Sequence, residues 1–271
     1  MSQAYGGLYI PRPGRGIIGL IVANVVAWIA YMLMLRLGLS DIAARLPLTP
    51  AEFLTGDLWQ PLTAMFIHSP AATGHLLMNM LFLWIFGVEV EQVYGTRSLV
   101  MIYLACGLAG AAVVVLLGLV VWLLAPTSSL GLLWISGTLG ASGAVLGITG
   151  CWGGMLWHQT RSFLFLGPMR VRTFLFIIVG IQLLGALSYD NVSYSSHLGG
   201  LAAGVAFGRG WLRPGMVTDW LDRRKLRRLK AQQARRRGHL ELLDGGLGDH
   251  PPDNGRYGDN GHSDDNGPLY H

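Results

Sequence analysis

Six apolar runs divide the chain, at 17–35, 74–88, 99–124, 142–157, 174–187 and 197–212. The first has Asn24 as its one strongly polar residue and is long enough to cross a ~30 Å hydrocarbon core. None of the runs alternates with period two, so the pattern predicts helices and no strands. The fourth run is short, spanning roughly 24 Å as a helix. If it ends at the cytoplasmic surface near Arg161, its start at Ser142 lies below the outer surface. The stretch before it, 127–139, reads as loop, and non-helical backbone at that depth must be covered by protein or line a wet cavity. The pattern therefore predicts a sunken helix start beside a polar cavity.

Charge sharpens this picture. Only 13% of the 271 residues are charged, against roughly 25% in soluble domains. Just 12 of the 35 charges fall within residues 16–208. That stretch cannot supply a soluble surface, which excludes an ordinary cytosolic enzyme, a disordered chain and a nucleic-acid-binding domain. The fold class expected is an all-α polytopic membrane protein with six transmembrane helices. Arg12, Arg15, Arg97, Arg161, Arg170, Arg172 and the eleven Lys and Arg of 209–237 fall on one side of that model. Only Arg36 and Arg45 fall on the other, so the positive-inside rule makes both termini cytoplasmic. No cleaved signal peptide is expected, because the first apolar run is of spanning length. The expected compartment is a bacterial inner (cytoplasmic) membrane.

The expected organisation is a cytoplasmic segment 1–16, a membrane domain 17–212, a basic cytoplasmic segment 213–237 and an acidic Gly/Asp/Asn-rich tail 238–271. The basic segment can attract anionic lipid, at ~1 kcal/mol per side chain near the surface, or serve only as a topology anchor. The tail reads as disordered. Cys106 and Cys151 lie in apolar runs and suggest neither a disulfide framework nor a metal site. The tail histidines are too widely spaced for one, so neither metal nor cofactor is expected.

In so apolar a chain the polar residues of the runs carry the chemistry. His75 and Asn79, four apart, share a helix face. His197 opens the sixth run, with Gly200 and Gly204 on its face. The fourth run opens at Ser142 and carries a stripe of Gly143, Gly147, Gly150 and Gly154. Two such smooth faces can pack closely, which would bring Ser142 and His197 together. An imidazole beside a serine can take its proton and make it a nucleophile. The tetrahedral oxyanion then needs donors, for which the Ser142 amide, Asn79 and His75 are candidates. Taken singly, Ser142 reads more readily as a packing residue and His197 as a loop-end histidine; the set is what points to catalysis. The fifth run, with Gly180, Gln182 and Gly185, reads equally as a lateral gate or as an ordinary packing helix.

These residues resemble the rhomboid intramembrane serine proteases. Gly140-Ala141-Ser142-Gly143 is similar to the family's GxSG motif, and His197-Leu198-Gly199-Gly200 through Gly204 to its HxxGxxxG helix. His75 to Asn79 is similar to HxxxN, and Glu91 to Gly95 to ExxxG. The likeness runs from about Trp59 to Phe207. It implies Ser142 as nucleophile and His197 as base, a dyad without a third carboxylate, so that Asp190 has no role. It implies Asn79 and His75 as oxyanion or substrate contacts, and structural roles for Gly140, Gly143, Gly200, Gly204, Glu91, Gly95 and Trp59. The reaction implied is cleavage of a transmembrane-helix substrate near the outer face through an acyl-enzyme. Its partners are transmembrane proteins and the bilayer, with no nucleic acid. Two positions depart from the family pattern. Gln60 follows Trp59 where an Arg is frequent, and Leu146 stands where many members carry an aromatic that packs on the histidine. The imidazole is then held less firmly or needs another packing partner. The rival functions are a catalytically inactive, client-binding rhomboid-like protein and a small transporter lined by the same polar groups.

Overall fold

The structure, a computed structural model, describes residues 12–163, 166–187 and 193–213, all within one compact unit, Met1–Met216. Asp190, the tail 238–271 and all of the basic segment 213–237 except Arg213 lie outside the described residues.

All six apolar runs are helical. They form α1 (Arg15–Arg36), α5 (Thr73–Tyr94), α6 (Thr96–Leu124), α7 (Ser142–Met155), α8 (Val171–Gly185) and α9 (Tyr194–Gly208). The long connection after α1 holds three short helices, α2 (Ser40–Ala44), α3 (Pro50–Thr55) and α4 (Gln60–Ala64). Among the described residues three helices, α1, α5 and α6, are long and apolar enough to cross a membrane. Helices α7, α8 and α9 have 14, 15 and 15 residues, which gives each only ~21–23 Å. The 127–139 stretch is irregular apart from one 3-10 turn at Ser129–Trp134, and it pairs with the first connection through a Leu48–Thr138 bridge.

The expectation of no strands fails at one point. Thr160–Phe163 (β1) and Gly167–Arg170 (β2) pair antiparallel between α7 and α8, so the fold is helical with one small hairpin rather than strictly all-α. Each strand has four residues and sits outside the apolar runs, too short for alternation to register. Pro168 lacks an amide donor and Gly167 has φ +71°, so neither suits a helix interior.

Helix α7 is the centre of the fold. Every residue from Gly143 to Gly154 is buried, and the helix packs most extensively on α9. The seam is made by glycines from both sides. A Cβ at Gly200 would fall on the Gly143 carbonyl, one at Gly204 on the Gly147 carbonyl, and one at Gly208 on the Cys151 carbonyl. In the other direction, a Cβ at Gly143 would lie 2.6 Å from Ser196 Oγ, and one at Gly154 2.8 Å from the Val205 carbonyl oxygen. Mostly backbone, with the small Ser196 side chain, lies between the two axes, so the glycines fix the register of α9 on α7.

Polar groups join the helix ends in sets. The Glu91 carboxylate, near the end of α5, accepts hydrogen bonds from the Gly16 amide (2.7 Å), the Ile17 amide (3.2 Å) and Thr96 Oγ1 (2.7 Å). The two amides are orphan donors of the first turn of α1, where the helix dipole also favours an anion, and Thr96 opens α6. Gly95, with φ +80°, makes the corner between α5 and α6. Arg161 of β1 pairs with Glu89, and Tyr94 donates to the Phe207 carbonyl. One end of the bundle thus holds the start of α1, the end of α5, the hairpin and the end of α9. Asn24, the polar residue of the first run, faces inward and donates to the Leu20 carbonyl and Tyr103 Oη.

Candidate active site

The opposite end gathers the predicted polar residues. Gly140 makes a corner there with φ +121°, a conformation that favours glycine, and a Cβ at that position would lie 3.0 Å from His75 Cε1. After this corner Ser142 is the first residue of α7, so its amide is among the helix-start donors without intrahelical partners. His197 lies in the first turn of α9. Because the glycine seam fixes the register, the two side chains meet: Ser142 Oγ lies 2.6 Å from His197 Nε2. They are 55 residues apart in sequence.

The other face of the imidazole was not legible from the motifs. His197 Nδ1 lies 2.7 Å from Gln182 Oε1, on α8. An amide oxygen only accepts, so Nδ1 carries the hydrogen and leaves Nε2 free to accept from the serine. Tyr194, one turn earlier on α9, packs edge-on against the ring with centroids 5.9 Å apart. Tyr194 thus packs on the imidazole, where many members of the family place an aromatic at the position of Leu146. Leu146 itself packs instead with Leu175 and Leu201, joining α7, α8 and α9.

Asn79 and His75 border the site through a residue that the motif reading left out. His68, fully buried in the connection ahead of α5, accepts at Nε2 from Asn79 Nδ2 (3.2 Å) and from the Ala141 amide (3.3 Å). Its Nδ1 donates to the Phe66 carbonyl at 3.3 Å. His68 thus ties Asn79 to the backbone immediately before Ser142. Burial, with a smaller contribution from His75, lowers its pKa to about 4, so the ring is neutral and can accept. His75 stands edge-on to His68 at 5.8 Å. Each hydrogen of the Asn79 amide can serve a different acceptor, so one can be held by His68 while the second remains for a ligand.

The remaining predicted residues lie farther out. Trp59 is exposed, donates from Nε1 to the Arg45 carbonyl at 3.1 Å, and lies under the Arg45 guanidinium, which also pairs with Asp57. Gln60 is fully buried. It accepts from the Thr49 amide at 3.0 Å and donates to Glu52 at 2.7 Å, so it stitches the first connection together with a neutral amide. Glu91 and Gly95 occupy the far end, at the α1 and α6 starts.

Residues 55–214 match the family model described as Rhomboid domain. The rhomboid protease GluP of Bacillus subtilis is 31% identical over 152 residues, which cover 55% of this chain and 25% of that protein. Rhomboid protein 1, mitochondrial, of Saccharomyces cerevisiae is 29% identical over 160 residues, covering 58% and 42%. The RHOMBOID-like protein 6, mitochondrial, of Arabidopsis thaliana is 33% identical over 156 residues, covering 56% and 43%. The chain therefore spans between a quarter and less than half of the length of these curated relatives.

Proposed function

Because the chain belongs to the rhomboid family of integral membrane proteins, we propose that it is an intramembrane serine endopeptidase acting on transmembrane helices near the outer face. The observation that carries this reading is the 2.6 Å contact between Ser142 Oγ and His197 Nε2, within reach for direct proton transfer. In this mechanism the Ser142 proton moves to Nε2 as Oγ bonds to the scissile carbonyl carbon. The oxyanion is met by the Ser142 amide, Asn79 Nδ2 and the His75 ring. Collapse breaks the C–N bond, and Nε2 returns the proton to the departing amine. Water then attacks the acyl ester as His197 takes its proton, and Nε2 returns that proton to the departing Ser142 Oγ, releasing the acid product and restoring the dyad.

The substrate must present an unwound segment, since a helical carbonyl is already hydrogen-bonded. Small or helix-breaking residues near the cleavage point are therefore the proposed substrate feature. The membrane arrangement proposed is six spans with both termini cytoplasmic. The proposed compartment is a bacterial cytoplasmic membrane, with an organelle membrane as the alternative that the relatives named mitochondrial supply. The basic segment 213–237 is proposed as a topology anchor, with contact to anionic lipid as the alternative.

The deciding experiment compares cleavage of a model transmembrane substrate by wild type, Ser142→Ala and His197→Ala in proteoliposomes. Loss of ~10⁴-fold or more in both variants, at unchanged unfolding temperature, is expected. Equal cleavage by all three would overturn the serine–histidine mechanism, and absence of cleavage by wild type itself would favour a chain that binds clients without cutting them, or transports.

A further inference from the structure

Two features of α8 bear on the dyad, and the serine–histidine reading accounts for neither. The first is how the helix is held. Its inner half is anchored by buried Val171 and Leu175, but its outer half exposes Ile181, Leu183 and Leu184. A Cβ at Gly180 would meet nothing within 4 Å. Near that end two groups engage α9. Gln182 Oε1 lies 2.7 Å from His197 Nδ1, and Gly185 makes room for the Tyr194 ring, whose Oη would lie 2.7 Å from a Cβ placed there. The second feature is that both contacts converge on one imidazole, since Tyr194 packs edge-on against His197.

We infer that Gln182 is a positioning residue of the catalytic dyad, holding His197 in the tautomer that accepts the Ser142 proton. This makes the dyad's competence depend on the docking of α8. The inference rests on the proposed protease activity. An imidazole needs its second nitrogen oriented for the first to act as a base, a task for which serine hydrolases commonly use a carboxylate. Here an amide does it. Gln182 accepts from Nδ1–H before proton transfer and continues to accept from it in the imidazolium afterwards, so its own protonation never changes. A neutral acceptor also avoids placing a second charge among apolar helices, where charges are costly. When the outer end of α8 swings away, the tautomer constraint and the Tyr194 seat on Gly185 are lost together. A substrate helix that displaced α8 completely would disarm the base it needs. The geometry thus favours entry that leaves Gln182 docked.

The test uses the full chain in nanodiscs and follows modification of Ser142 by a fluorophosphonate across pH. Gln182→Leu is expected to lower the maximal labelling rate roughly 10-fold, the equivalent of about one hydrogen bond, with the half-saturating probe concentration unchanged. Gln182→Glu is expected to restore most of that rate and move the acid limb upward by about one pH unit, because an anion beside Nδ1 favours the protonated ring. Ile181→Ala, on the exposed side of the same helix, is expected to change neither quantity. Unfolding temperatures accompany each variant. A Gln182→Leu protein that labels like wild type overturns the inference, as does a Gln182→Glu profile with an unmoved acid limb. A wild type that takes no label at all overturns the protease reading itself, and the role of Gln182 falls with it.

Discussion

His68 shows how much one neutral ring can organise. Two donors converge on its Nε2, one from Asn79 and one from the backbone beside Ser142, so the ring must stay uncharged for the site to keep its shape. Its pKa is lowered to about 4 by burial, from an ordinary value of 6.5. Between these values the unfolded chain binds a proton that the folded one does not. The stability held by neutral His68 is therefore complete above pH 6.5 and is lost as pH falls toward 4, at up to ~1.4 kcal/mol per pH unit. His68→Gln, which keeps an acceptor but cannot titrate, is expected to flatten this acid slope in thermal unfolding between pH 7 and 4. His68→Ala leaves two buried donors without their acceptor and is expected to cost ~1–3 kcal/mol at neutral pH, with cleavage reduced as well. An unchanged acid slope in His68→Gln would assign it to other groups.

At the scale of elements, the seam between α7 and α9 decides whether a site exists at all. Gly204 and Gly180 make a direct comparison, since both are helical glycines in apolar surroundings. Alanine at Gly204 puts a methyl group on the Gly147 carbonyl and forces the two helices apart. The expected cost is ~3 kcal/mol or more, with Ser142 and His197 drawn out of contact and labelling of Ser142 lost. Alanine at Gly180 meets nothing within 4 Å and is expected to raise stability by ~0.4–1 kcal/mol through reduced freedom of the unfolded chain. Thermal unfolding of both variants in one detergent makes the comparison. This seam was legible in the sequence because its spacing, 143–147–150–154 against 197–200–204, repeats with the helix. Gln182 stood there only as one residue of a run that reads equally as a lateral gate or a packing helix, since no periodic signal links it to a histidine 15 residues away on another helix. His68 was passed over for a similar reason: it lies in irregular backbone ahead of α5, and its partners are known only once that backbone is folded. The β1–β2 hairpin escaped because four-residue strands carry no period.

For the whole molecule, the distribution of apolar and charged surface turns a bundle of helices into an oriented membrane protein. The outward faces of α1, α6 and α8 expose Val22, Val26, Leu33, Leu116, Leu123, Phe176 and Leu184, a surface that suits lipid and not water. The helix ends differ from one another. The end that joins Glu91 to the start of α1 also carries the Arg161–Glu89 pair, while the dyad and the Leu48–Thr138 bridge lie at the other. In the proposed arrangement, which follows the positive-inside rule, the first end faces the cytoplasm and Ser142 the outer side. Cysteine labelling can test this directly, because both native cysteines are buried and free. Ser128, exposed in the connection after α6, and Ser162, exposed on β1, stand at opposite ends. In intact cells Ser128→Cys is expected to react with a membrane-impermeant maleimide, and Ser162→Cys only after permeabilisation. The reverse pattern would invert the protein and turn its dyad toward the cytoplasm, where the substrate bond cut would have to lie at the inner end of the target helix. Labelling of both sites from outside would instead mean that α7 does not cross, and six spans would be too many.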